Sequence, residues 1–104
     1  MDDIRYYGVD FLGVRYEFVF RYQHTSEGYR AYILSAPSYK SRSTNLSATH
    51  RLTDGGEYYV CWSQPIRKES EMDAVVALWC KATVMYIVLG GPSLDQHAKR
   101  LMNA

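Results

Sequence analysis

Cysteine, proline and net charge are the scarce features of this chain, and each shortage narrows what it can be. Only two cysteines, Cys61 and Cys80, occur, on separate predicted elements. That is too few for the disulfide framework of a small secreted domain, and both read as buried, inert thiols. Twelve Lys and Arg against eleven Asp and Glu leave a net charge of +1. Such a balance argues against a protein that coats nucleic acid or membrane with its whole surface. Met1 is followed by Asp2 and Asp3, where a secretory signal would place a basic segment and an apolar run, so a cytoplasmic location is expected. The longest apolar run, Ala74 to Leu89, is short for a bilayer and carries Lys81 at its middle, which predicts a buried or interface helix and no membrane association.

Motifs of chemistry are equally scarce. His24, His50 and His97 lie far apart, with no i, i+4 pairing and no neighbouring CxxC, so no metal site is expected. Gly55-Gly56 and Gly90-Gly91 are doublets without a phosphate loop or dinucleotide fingerprint, and no cofactor is expected. The acids are scattered without the spacing of paired catalytic carboxylates. Ser47 and His50 are close enough to suggest a nucleophile and its base, but no supporting acid is identifiable and Ser and Thr are abundant here for conformational reasons. A non-enzymatic protein with no catalytic residue is the resulting expectation.

What the chain does have is tyrosine, ten residues of it, and period-2 alternation. From Gly13 to His24, Val14, Tyr16, Phe18, Phe20, Tyr22 and His24 alternate with mostly polar residues, predicting a long strand with one aromatic face. Ile4 to Val9 reads as a short edge strand before it. Thr25 to Gly28 forms a turn into a second hairpin strand, Tyr29 to Ala36. A three-residue loop would set Tyr22 opposite Tyr32, whereas a four-residue loop would set Phe20 opposite Ile33. Glu57 to Ser63 reads as a further strand, apolar on both faces and therefore internal.

Residues 70–89 are expected to form a helix, with Ser70 and Asp73 as a weakened capping box. Met72, Val75, Val76, Trp79, Thr83 and Tyr86 make its core-facing stripe, and the opposite flank is hardly polar. A competing reading makes Thr83 to Leu89 a strand. After Gly90-Gly91-Pro92, Ser93 and Gln96 open a short helix carrying Leu94, Ala98 and Leu101, with His97 on a solvent-accessible side. The expected fold is a single α+β domain: an antiparallel sheet of three to four strands, one long helix packed on one face, and a short C-terminal helix. Trp79 and Val76 should meet Phe18, Phe20 and Val60 in its core.

Between these elements lies the polar segment 37–56, read as a long loop. The charged residues from Arg30 through Arg51 are all basic. Arg30, Tyr39, Lys40, Arg42, His50 and Arg51 combine cations, hydroxyls and an aromatic ring, a mixture suited to a protein partner or to phosphates and unpaired bases. More simply, they are the charges of a solvated loop.

From His50 onward the sequence resembles small proteins of bacterial mobile elements and phages, through a Tyr-Val-Cys-Trp strand (Tyr59 to Trp62), a link containing Pro65, and an acidic-capped helix from Glu69 to Ile87 bearing Trp79. The resemblance covers the second half and its motifs are structural. It implies a setting in which small domains bind a host protein or ribonucleoprotein, anti-CRISPR inhibitors of defence nucleases included. The leading expectation is thus a non-enzymatic interaction module. The alternative is a small RNA or single-stranded DNA binding protein using the loop 37–56. The nearly all-apolar helix leaves a homodimer open as well.

Overall fold

The computed structural model describes residues 3–103. Met1, Asp2 and Ala104, and with them the reading of the N-terminal Met-Asp pair, lie outside the described residues. Strands β1 (Asp3–Phe11), β2 (Val14–Thr25), β3 (Gly28–Ser35), β4 (Arg51–Asp54) and β5 (Glu57–Val60) form one antiparallel sheet in the order β1-β2-β3-β5-β4. Helices α1 (Leu46–Thr49), α2 (Glu69–Leu89) and α3 (Asp95–Met102) complete the α+β architecture.

The sheet therefore has five strands, where the sequence pattern predicted three or four. The added strand is β4, cut from the segment read as loop. It holds one apolar side chain, Leu52, so no alternation marks it, and it exists by pairing with β5 across the Gly55-Gly56 turn, from Arg51↔Val60 to Asp54↔Glu57. At the other edge β1 is longer than Ile4 to Val9, and β5 stops at Val60, short of Ser63.

The β2–β3 hairpin adopts the register that sets Phe20 opposite Ile33 and Tyr22 opposite Ala31, with a shift at Val19 and Phe20. Gly28 is what permits its turn. Its φ is +115°, and a Cβ there would come 2.6 Å from the Ile66 carbonyl oxygen, which accepts the Tyr29 N–H at 2.7 Å. The hairpin tip is thereby tied to the link before α2.

All six residues of the predicted α2 stripe are buried, and α2 remains helical through Leu89, so 83–89 is not a strand. Trp79 stands edge-on to Phe18 and Phe20, with ring centroids 5.8 and 6.0 Å away, and Val76 and Val60 belong to the same core. Burial extends beyond that stripe to Cys80, Ala82, Val84 and Ile87, whereas on the far flank Ala74, Lys81 and Leu89 are exposed and Ala77, Leu78, Met85 and Val88 are half-buried. By length and composition α2 could cross a bilayer, its most apolar window having a mean hydropathy of 1.7, but 56% of that window is buried in the domain.

The start of α2 departs from the expected capping box. Lys68 is its N-cap, without a side-chain bond, and Ser70 and Asp73 do not cap reciprocally. The acids serve β1 instead: Arg5 pairs with Glu69 and Asp73 and lies 4.5 Å from the Tyr22 ring centroid, while the Tyr22 hydroxyl donates to Asp73 at 2.8 Å. Burial, and then this bond, push the Tyr22 phenol well above its ordinary pKa. In α3, His97 is buried, contrary to the solvent-accessible position expected. Its Nε2 meets the Gly90 carbonyl at 2.8 Å, and it shares the inward stripe with Leu94, Ala98 and Leu101.

Replacing Trp79 by Ala removes the ring on which β2 and α2 meet. The expected cost is about 3–5 kcal/mol, read by urea unfolding, and a loss below about 1 kcal/mol would contradict this packing.

Candidate interaction surface

Strand parity sends Tyr16, Phe18, Phe20 and Tyr22 toward the helices, and Arg15, Glu17, Val19 and Arg21 to the other face. The pairings Arg21↔Tyr32 and Tyr32↔Tyr59 carry that open face across three strands. A continuous stack results. The Arg21 guanidinium lies 4.7 Å from the Tyr32 ring centroid, Tyr32 and Tyr59 are 5.5 Å apart, and Arg30 lies 4.5 Å from Tyr59. Acids hold both arginines in place: Arg21 donates to both Glu57 carboxylate oxygens at 3.0 and 3.1 Å, and Arg30 to Asp54 at 2.8 Å. Arg30 also donates to the Tyr32 hydroxyl at 3.1 Å. That bond, then Asp54, raise its pKa above its already high ordinary value, so it is a fixed cation.

The stack has a mechanical reason. Strands β3 and β5 share a single register pair, Tyr32↔Tyr59, and their ladder does not continue past it. Beside this joint lies a groove of about 420 Å³ lined by Arg30, Leu52, Tyr59, Trp62, Ile66 and Arg67. Its rim keeps apolar groups in water: Trp62 is 40% exposed, and Leu52 is likewise exposed. Both clusters were written in the sequence as the polar residues of β2 and the Tyr-rich β3 and β5, but only the observed pairing brings them together.

The residues singled out in the sequence do not form one site. Arg30 belongs to the open face just described. Arg42 donates through Nε to the Ile87 carbonyl at 3.1 Å and through Nη2 to Val88 at 3.2 Å, neutralising the carbonyl end of α2. Arg51 donates to Thr49 Oγ1 and the Thr44 carbonyl, both at 2.8 Å, and covers the rings of Tyr39 and Tyr58 at 5.1 and 4.2 Å. Tyr39 packs edge-on to Tyr86, its hydroxyl buried without a hydrogen-bond partner, and burial pushes its phenol up to about 12. Lys40 alone of the loop cations projects freely into solvent, from a left-handed backbone with φ of 56°.

His50 follows α1 in a left-handed conformation, φ 49°, and its Nε2 is 3.6 Å from Asp95 Oδ1, which faces the shallow polar hollow that Ser47 also lines. Lys99 takes the other Asp95 oxygen at 2.9 Å. No hydrogen bond joins Ser47 to His50 among the described residues. No cluster of three His, Cys, Asp or Glu suited to a metal ion occurs among the described residues. Burial raises the Cys80 thiol far above its ordinary value, which suits an inert core residue. No protein-family profile, curated protein or solved structure matches the chain.

Two substitutions separate framework from surface. Arg42→Ala should lower stability by about 1–2 kcal/mol through loss of the two carbonyl contacts at the α2 terminus, measured by urea unfolding; an unchanged midpoint would make Arg42 a surface residue. Tyr39→Phe should leave stability at neutral pH unchanged or higher, because it deletes a buried hydroxyl with no partner. The fold favours the neutral phenol, so that contribution is complete below the ordinary value of 10.0 and is lost as pH climbs toward about 12. Thermal melts across that window should therefore fall less steeply in Tyr39→Phe than in the wild type.

Proposed function

We propose that the chain is a non-enzymatic interaction protein of the cytoplasm that docks on a partner protein through the open sheet face and the groove beside it. The class of partner follows from the resemblance of its second half: a host defence nuclease or its guide complex, inhibited by occlusion in the manner of an anti-CRISPR protein. The observation that carries the reading is the exposed Trp62 and Leu52 around a Tyr59 and Arg30 pair already fixed by stacking and by Asp54. Aromatic and arginine side chains dominate binding energy at protein interfaces. Side chains immobilised before the encounter lose little entropy on it.

The nucleic-acid alternative drew on the loop cations. Its support is thinner, since Arg42 and Arg51 each direct two donors to the chain's own carbonyls and Thr49, leaving Lys40 as the remaining cation of the segment 37–56. A phosphate-binding surface gains from several cations acting together.

Biolayer interferometry against purified defence nucleases, with and without guide RNA, and against the RNA alone tests both at low and physiological salt. The expected result is binding to a protein component that changes little with salt and falls at least about tenfold in Trp62→Ala, a loss of about 1.4 kcal/mol, with the variant's circular dichroism unchanged. Binding to RNA alone that collapses with salt would replace this reading with the alternative.

A further inference from the structure

Strand β1 is an edge of nine residues whose outer side meets no other strand among the described residues. Natural sheets blunt such edges with lysine, proline, bulges or brevity. This strand has neither Lys nor Pro, its pairing with β2 runs through nine successive partners without a shift, and its charges, Asp3, Arg5 and Asp10, leave the central stretch from Tyr6 to Val9 uncharged. On the open face of this strand, Tyr6 is 78% exposed, the most exposed of the large hydrophobic side chains. Two residues on, and on the same face, comes Gly8.

Gly8 leaves a notch. A Cβ there would lie 2.2 Å from Arg15 Nη2, so the guanidinium has settled into the space that a side chain would fill. Tyr6, Gly8, Arg15, Glu17 and Val19 line a hollow of about 200 Å³ at this place. A projecting ring and a hollow two residues apart, on one face of one strand, are the parts of an isologous contact: a two-fold operation between them sends each ring to the other copy's hollow.

We propose that two copies of the chain join along their β1 edges, antiparallel and centred on Tyr7, so that two five-stranded sheets become one. In this register Tyr6 of one protomer lies opposite Gly8 of its partner. The ring lies over the Arg15 guanidinium that fills the space at Gly8, as a cation–π partner. Arg5 falls opposite Val9, Ile4 opposite Asp10 and Asp3 opposite Phe11, so no like charges face each other. Both helical layers stay on the same side, because residues of equal parity are paired. The groove by Trp62 lies beyond β3, away from this edge, so the proposal stands independently of the function argued above.

Sedimentation velocity over a hundredfold range of concentration tests it. The wild type should approach about 24 kDa, twice the 12.0 kDa of the chain. Tyr6→Lys should sediment as a monomer with its circular dichroism and melting temperature retained, since its side chain stands in solvent. Tyr6→Ala, which adds no charge, should weaken dimerisation at least about tenfold. Leu52→Lys on the far edge strand should dimerise as the wild type does. A wild type of 12.0 kDa at every concentration, or a dimer that survives Tyr6→Lys, would overturn the proposal. So would a dimer lost in Leu52→Lys but not in Tyr6→Lys.

Discussion

The fold rests on the need to cover a broad apolar arc of α2, wider than one sheet face can hide. Only its far side, with Ala74, Lys81 and Leu89, is left to water. One flank meets β2 through Trp79, Phe18 and Phe20. Beside it the helix draws in a segment too polar to bury itself, and three side chains do this with four hydrogen bonds. The Trp79 indole donates to the Thr49 carbonyl at 3.1 Å, the Tyr86 hydroxyl to Ser43 at 2.8 Å, and Arg42 to the last carbonyls of α2. Each uses the polar tip of a residue whose body is otherwise buried or half-buried, which is how Tyr, Trp and Arg join apolar packing to hydrogen bonding.

This strapping decides which surfaces remain for a partner. The basic segment, which reads in sequence as a free loop, is held to α2 and contributes β4 to the sheet. The open face of the sheet, whose residues look like ordinary solvent-facing polar positions, instead assembles a fixed layer of Arg21, Tyr32, Tyr59 and Arg30 with a groove at its end. Rigidity and exposure have thus been exchanged between the two regions.

Periodicity made part of this legible. The stripe from Met72 to Tyr86 is buried throughout, and of the alternating face of β2 the central Phe18, Phe20 and Tyr22 are buried while Val14 and His24 at its ends are exposed. His97 could have been found by the same rule, since it stands three residues from Leu94 and four from Leu101 on the inward side, but its polarity masked the spacing. β4 left no such trace: Arg51, Thr53 and Asp54 are polar, and only the neighbouring β5 makes them a strand. Of the site residues chosen from sequence, Arg30 lies on the open face, because charge density along the chain says nothing about which carbonyl or ring each cation will reach. The pairing of β3 with β5 joins residues 32 and 59, a long-range contact that no local pattern announces.

That single pair, Tyr32↔Tyr59, also bears on how the chain reaches its structure. The meander β1-β2-β3 and the hairpin β4-β5 each close through short turns, so each can form from neighbouring sequence at small entropic cost. Joining them is the non-local step, and it has one backbone pairing to reward it. The stacked rings and arginines across the joint, together with the docking of α2, supply what the ladder lacks. The sheet is accordingly a seam between two locally folding pieces, and the order of assembly runs from turns, to pieces, to seam.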